Sequence, residues 1–133
     1  MKSKLEAIDK ALTDSISKYE EVILEKIKLE EDKTETESMI KIIETNKGIE
    51  ITSEKDEEGK PKYTNETQRK YAKEEALRKS EEYKSAIDRL HTLIEQIKRK
   101  ELEAEIQKLK HKSALKKVEI VALLLSIRGE KDE

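Results

Sequence analysis

Apolar side chains at Leu5, Ile8, Leu12, Ile16, Tyr19, Ile23 and Ile27 are separated by 3, 4, 4, 3, 4 and 4 residues. A strand would need alternation at every second residue, whereas steps of three and four place one stripe along an α-helix. The pattern repeats every eleven residues, about 3.67 per turn, the period of a nearly straight or slightly right-handed stripe. Ser3, with Glu6 three residues on, is a candidate capping box for the start of this helix. The stripe lapses from Glu30 to Ser38 and resumes with Met39, Ile40, Ile42 and Ile43. Gly48, after Asn46 and Lys47, is a candidate left-handed stop, so a helix is expected over residues 3–46.

A tip is expected over residues 48–64. Ile49, Glu50, Ile51 and Thr52 alternate apolar and polar, turn formers follow through Pro61, and Lys62 to Thr64 offers a second short strand. A β-hairpin and a plain loop both fit, and a hairpin this short needs a helix end to support it. Asn65 then reads as a helix cap, with Gln68 answering from the third helical position and Glu66 in the first turn.

From there the apolar groups Tyr83 to Ile97, Leu102 to Leu109 and Ala114 to Leu125 keep steps of 3 or 4 internally, but a step of 5 separates them. The apolar seam is therefore expected to change face twice. A single helix over residues 65–128 would reach about 96 Å, against about 65 Å for the first helix. Either it overhangs its partner or it breaks, and Lys110 to Ser113 is the candidate break, with Gly129 the stop before a frayed tail. Ile120 to Leu125 is apolar on all sides of a helix, a property of a helix buried all round. Docking on another chain through Val118, Val121, Leu123, Leu124 and Leu125 is expected. Folding back on its own chain, or forming a short core strand, are the alternatives.

Composition narrows the function. The 133 residues fit one domain. Charged residues make up 45%, and Leu, Ile, Val and Phe together number 31, little for a two-sided core. With no Cys there is no disulfide, thiol nucleophile or thiolate metal site. Three Gly leave no phosphate-cradling loop. No run is long enough for a membrane span, and the opening MKSKLEAIDKAL lacks a signal-peptide core. A cytoplasmic protein with no membrane partner is expected.

Charge is unevenly spread, with a net of −8 from Glu20 to Glu58 and +5 from Lys98 to Lys117. Lys98, Arg99, Lys108, Lys112 and Lys116 could neutralise phosphates of a nucleic acid. A solvated face, or pairing with the acidic helix, is the plainer explanation, and no aromatic interleaves the run to stack on bases. His91 and His111 stand twenty residues apart without a His-Glu-x-x-His pattern, and no metal site is expected. Glu101, Glu103 and Glu105 cannot all share one helix face, and no nucleophile elbow occurs, so no catalytic residue is nominated. Tyr19 and Tyr83 lie in the stripes. Tyr63, Arg69, Tyr71 and Arg89 are candidates to stack on and hold an anionic ligand such as a nucleotide; packing is the plainer role for the tyrosines.

Gly59-Lys60-Pro61-Lys62-Tyr63-Thr64-Asn65-Glu66, followed by Arg69, resembles a helix-opening signature of small helical phage and prophage accessory proteins. The resemblance implies a long helical protein with a phage accessory role and supplies no catalytic residue. The chain is thus expected to be all-α: a long antiparallel, coiled-coil-like helical hairpin in one domain, with a short tip and a C-terminal oligomerisation helix. It is expected to be a non-enzymatic, cofactor-free binding protein that acts as a homo-oligomer. Inhibition of a host defence component, by binding a protein or sequestering a small anionic nucleotide, follows from the phage resemblance. A nucleic-acid accessory protein of recombination and a purely structural scaffold are the other readings.

Overall fold

The computed structural model describes residues 2–132, with side chains for residues 3–129. Three helices follow one another: α1 (Lys2–Ser53), α2 (Glu66–Lys79) and α3 (Glu81–Asp132). Among the described residues there is no strand, and the protein is all-α. The residues form two compact units. One joins α1 up to Lys28 with α3 from Ile97 onward, and the other comprises Leu29–Gln96.

The long α1 differs from expectation at both ends. Lys2 and Ser3 are already helical, so Ser3 is not a cap. At the other end the helix passes through Gly48 to Ser53, and residues 49–52 are not a strand. Burial shows why. In a strand Ile49 and Ile51 would share a face, but two residues along a helix point about 200° apart. Ile51 is 8% exposed and Ile49 is 59% exposed. Ile51 instead falls on the helical face that carries Ile40 and Ile43, and all three are buried. Burying Ile51 on that face outweighs the roughly 1 kcal/mol that a helical glycine costs.

The tip that remains is short. Asp56 organises it: its Oδ1 accepts from the Glu58 and Lys60 amides at 2.9 and 3.0 Å. The Asp56 amide donates to the Lys60 carbonyl at 2.8 Å, and a single antiparallel bridge joins Lys55 to Pro61. Gly59 has φ +80°, a conformation that favours glycine. Lys62 closes the base of the turn on Glu54 at 3.1 Å, and that contact raises the pKa of its ammonium. The tip is therefore the loop alternative, without paired strands.

Asn65 caps α2, its Oδ1 accepting from the Gln68 amide at 2.8 Å. Gln68 reaches back one residue further than in a simple capping box, to the amide and hydroxyl of Thr64 at 3.0 and 3.2 Å. The helix then breaks at Ser80, not at Lys110–Ser113. Ser80 has extended backbone, its amide donates to the Leu77 carbonyl, and its Oγ accepts from the Tyr83 amide at 3.2 Å. Charge favours this point. Arg78 and Lys79 face the negative end of α2, and Glu81 and Glu82 face the positive end of α3. Ser113 precedes Ala-Leu-Lys-Lys, which offers no acidic first turn, and α3 runs unbroken past it and past Gly129. The final residue of the expected tail, Glu133, lies outside the described residues.

In the Leu29–Gln96 unit, Ile40, Ile43, Leu77 and Ala86 form a buried cluster, with Tyr83, Ile87 and Leu90 packed against it. Thr36 is buried on the same side and donates its hydroxyl to the Asp32 carbonyl at 2.9 Å. The gap from Glu30 to Ser38 is thus bridged by Thr36 and by half-buried Lys33.

Gly48 tests this fold directly. A Cβ there would meet the Lys73 side chain at 3.7–3.8 Å, an ordinary contact. Gly48→Ala is expected to stabilise the protein by about 0.5–1 kcal/mol, read as a higher urea midpoint. A left-handed stop at this position would give a loss instead.

Candidate functional site

The unit that joins the two ends of the chain has an inverted distribution of apolar side chains. Its α1 and α3 segments run in opposite directions. Glu25 and Lys26 meet Lys100 and Glu101, the latter pair at 3.6 Å, and Ile8 to Lys18 line a groove with Gln107 to Lys117. The Lys100 ammonium, hydrogen-bonded to Glu25, holds that carboxyl below its usual range, while Glu25 and then Glu103 raise Lys100. The Glu25 contribution is therefore present above the normal carboxylate range and is lost as pH falls through the depressed value.

The covered positions of α3 in this unit are Ile97, Lys100, Ala104, Gln107, His111, Ala114, Val118, Val121 and Leu125. Their steps alternate strictly between 3 and 4, so the seam does not change face. It runs straight on through small and polar residues. The steps of 5 in the apolar pattern mark positions where leucines leave the seam. On α1 the same rhythm runs through the covered positions Ile8, Leu12, Ser15, Tyr19, Val22 and Lys26, with Ile23 and Glu25 half-buried beside it. Ile16 and Ile27 of the eleven-residue stripe are left exposed.

The inner seam is also incompletely satisfied. Ser15 Oγ and His111 Nδ1 are shut off from water without a hydrogen-bond partner. A buried polar atom in that state costs about 1–3 kcal/mol.

Eight large aliphatics of this part of α3 are exposed; Leu115 and Leu124 stand apart, and the other six lie on the side away from the seam. Leu102, Ile106, Leu109, Ile120, Leu123 and Ile127 are all exposed, with Leu102, Leu109 and Leu123 at 63%, 62% and 62%. At about 100° per residue their stripe is centred about 160° from the inner seam. This outer face is the candidate functional site, an apolar surface with no intrachain cover. The apolar pattern contained it, but its residues read as core because nothing in the spacing distinguishes two stripes on one helix from one stripe that shifts.

The interface residues expected from sequence divide between the two faces. Val118, Val121 and Leu125 are half-buried on the inner seam, whereas Leu123 and Leu124 are exposed. Lys98, Arg99, Lys108, Lys112 and Lys116 are all exposed on α3. Lys116 interrupts the outer apolar stripe.

The expected anion cluster is not assembled as one site. Tyr63 and Tyr71 share a groove with Lys62, whose ammonium lies 5.5 Å from the Tyr63 ring centre. Arg69 reaches only the Tyr63 carbonyl, at 3.5 Å, and opens onto a different groove beside Lys70 and Lys73. Arg89 lies in a third, with Met39 and Gln96. The four residues are spread over three surfaces, and Arg89 stands twenty residues beyond Arg69, past the break at Ser80.

Among the described residues no group of three His, Asp or Glu is placed to hold a metal ion, and no helix is long and apolar enough to cross a membrane. No protein-family model, curated protein or solved structure matches this chain.

The orphaned imidazole nitrogen yields a test. His111→Leu is expected to raise stability by about 1 kcal/mol in urea unfolding, because it replaces an unsatisfied seam group with an apolar one. A loss would show that Nδ1 finds a partner in solution.

Proposed function

We propose that this protein is a non-enzymatic binding protein built on a coiled-coil-like helical hairpin and working as a homo-oligomer. One observation carries the reading: the inner seam of α3 beyond Ile97 holds Lys100, Ala104, Gln107, His111 and Ala114 before it reaches Val118, Val121 and Leu125, while eight large aliphatics of the same segment face water. Contiguous exposed apolar surface of this kind marks an interaction site. A second copy is the partner always present at the protein's own concentration. Binding would then fall to other exposed surfaces, such as the tip and α2. In the setting implied by the phage resemblance, the bound species is a host protein or a small anionic nucleotide gathered between copies, since a single chain does not assemble Tyr63, Arg69, Tyr71 and Arg89.

A second reading, a nucleic-acid accessory protein, draws on the exposure of Lys98, Arg99, Lys108, Lys112 and Lys116 along one helix. It requires salt-sensitive DNA or RNA binding that is lost when Lys108, Lys112 and Lys116 become Glu. Absence of a mobility shift at low salt removes it.

Native mass spectrometry and sedimentation of the wild-type chain test the main proposal. An oligomer that persists on dilution into the low micromolar range is expected. A chain that stays monomeric at high micromolar concentration overturns it.

A further inference from the structure

We infer that the outer face of α3 pairs with the same face of a second copy in parallel and in register. The inference rests on the homo-oligomer reading above and specifies how the copies meet.

Six of the eight exposed aliphatics fall on one line along the helix. From Leu102 to Ile106 to Leu109 the steps are 4 and 3, and from Ile120 to Leu123 to Ile127 they are 3 and 4. Ser113 and Lys116 occupy the two positions between, at the same rhythm. The face is therefore a second heptad stripe, apolar at six of its eight positions, on a helix whose opposite side already carries one. A sustained heptad stripe is the surface one helix presents to another in a coiled coil.

The residue types then select the geometry. A heptad core has two positions, a and d, with d three residues after a. On this face Ile106, Ile120 and Ile127 take the a positions, and Leu102, Leu109 and Leu123 take the d positions. β-branched residues at a with leucine at d favour two parallel strands over three or four.

Charge complementarity points the same way. In a parallel pair, each residue flanking the core on one side meets the residue five positions later on the partner. Here Lys98 is followed by Glu103, and Glu105 by Lys110, and all four are exposed. Each match occurs twice across a two-fold pair. Lys112 and Lys117 oppose it, one unfavourable match against two favourable. An antiparallel pairing, which sets each a against a d, aligns Ile106 with Leu123 and Leu109 with Ile120; it brings Lys112 near Glu119 but Lys110 near Lys117, one favourable match against one unfavourable. Ser113 and Lys116 supply the polar break. These two adjacent polar layers disfavour registers that would set them against leucine or isoleucine, at some cost in affinity.

The chain has no Cys, so engineered cysteines report cleanly. In the full-length protein, Leu109→Cys is expected to form a disulfide-linked dimer under mild oxidation, because equivalent core positions face each other in a parallel pair. Lys108→Cys, one residue off the stripe, is expected to stay largely unlinked. If Leu109→Cys remains unlinked while Leu109→Cys/Ile120→Cys crosslinks, the pairing is antiparallel and the inference is overturned. Lys116→Leu is expected to tighten association at least about tenfold, since it replaces the charge in the core with apolar surface. Unchanged or weaker association also overturns it. Leu109→Glu with Leu123→Glu is expected to give a monomer with undiminished helical circular dichroism. An oligomer that survives these two substitutions discards this face but leaves the homo-oligomer reading standing. A monomeric wild-type protein discards both.

Discussion

Two helices lying side by side can each remove one stripe from water, and nothing more. Every feature of the unit formed by the chain ends follows from how the sequence allots its few aliphatics under that limit. On α3 beyond Ile97, the stripe turned toward α1 is held by alanines, Gln107 and His111 until Val118. The stripe turned away holds leucine and isoleucine. At about 25 cal/mol per Å² of apolar surface, leaving the larger side chains in water forgoes more than the inner alanines recover. A lone chain with this layout is poorly arranged, whereas a paired one places both stripes against a helix.

The other unit follows the opposite logic. Ile40, Ile43 and Ile51 are buried, and α2 supplies Leu77 to the cluster around Ala86. The break at Ser80 makes this possible by allowing α2 and α3 to approach that cluster as separate helices. Such a unit needs no second copy for its core. Its exposed features, the Asp56 turn and the grooves around Tyr63 and Arg69, remain open for contact with something else.

Helix identity was legible in the sequence wherever the spacing was dense, as from Leu5 to Ile27 and from Tyr83 to Ile97. What the spacing could not convey was phase. An apolar residue three or four positions from another belongs to some stripe, but Ile16 and Ile27 satisfy that rule and are still exposed. The seam is defined equally by Ser15, Lys26, Gln107 and His111, which carry no apolar signal and become recognisable only when the facing helix is in place. Ile49 and Ile51 misled for a related reason. Alternation in a four-residue window is shared by a strand and by opposite sides of a helix. The cap at Asn65 was readable because it depends only on neighbours in sequence. The cap at Ser80 depends on neighbours too, yet its signal, cations before and acids after, lay in charge and not in the apolar steps.

The two functional readings make incompatible demands on one side chain. Lys116 stands in line with Leu109 and Leu123 on the outer face. If it neutralises a phosphate it must stay accessible, and the leucines on either side must stay in water beside it. If that face pairs with a second copy, Lys116 becomes the polar layer of a core and can reach solvent only by extending its stem past the leucines. Lys108 and Lys112 are free of this conflict, since they lie beside the stripe and not within it. Pairing would bring their counterparts from two parallel helices onto one assembly and double the local positive charge. A paired form could therefore still attract a polyanion through Lys108 and Lys112, but not through Lys116. The aliphatic stripe is the costlier surface to leave wet, so in a paired form any contribution of these lysines would have to operate around it.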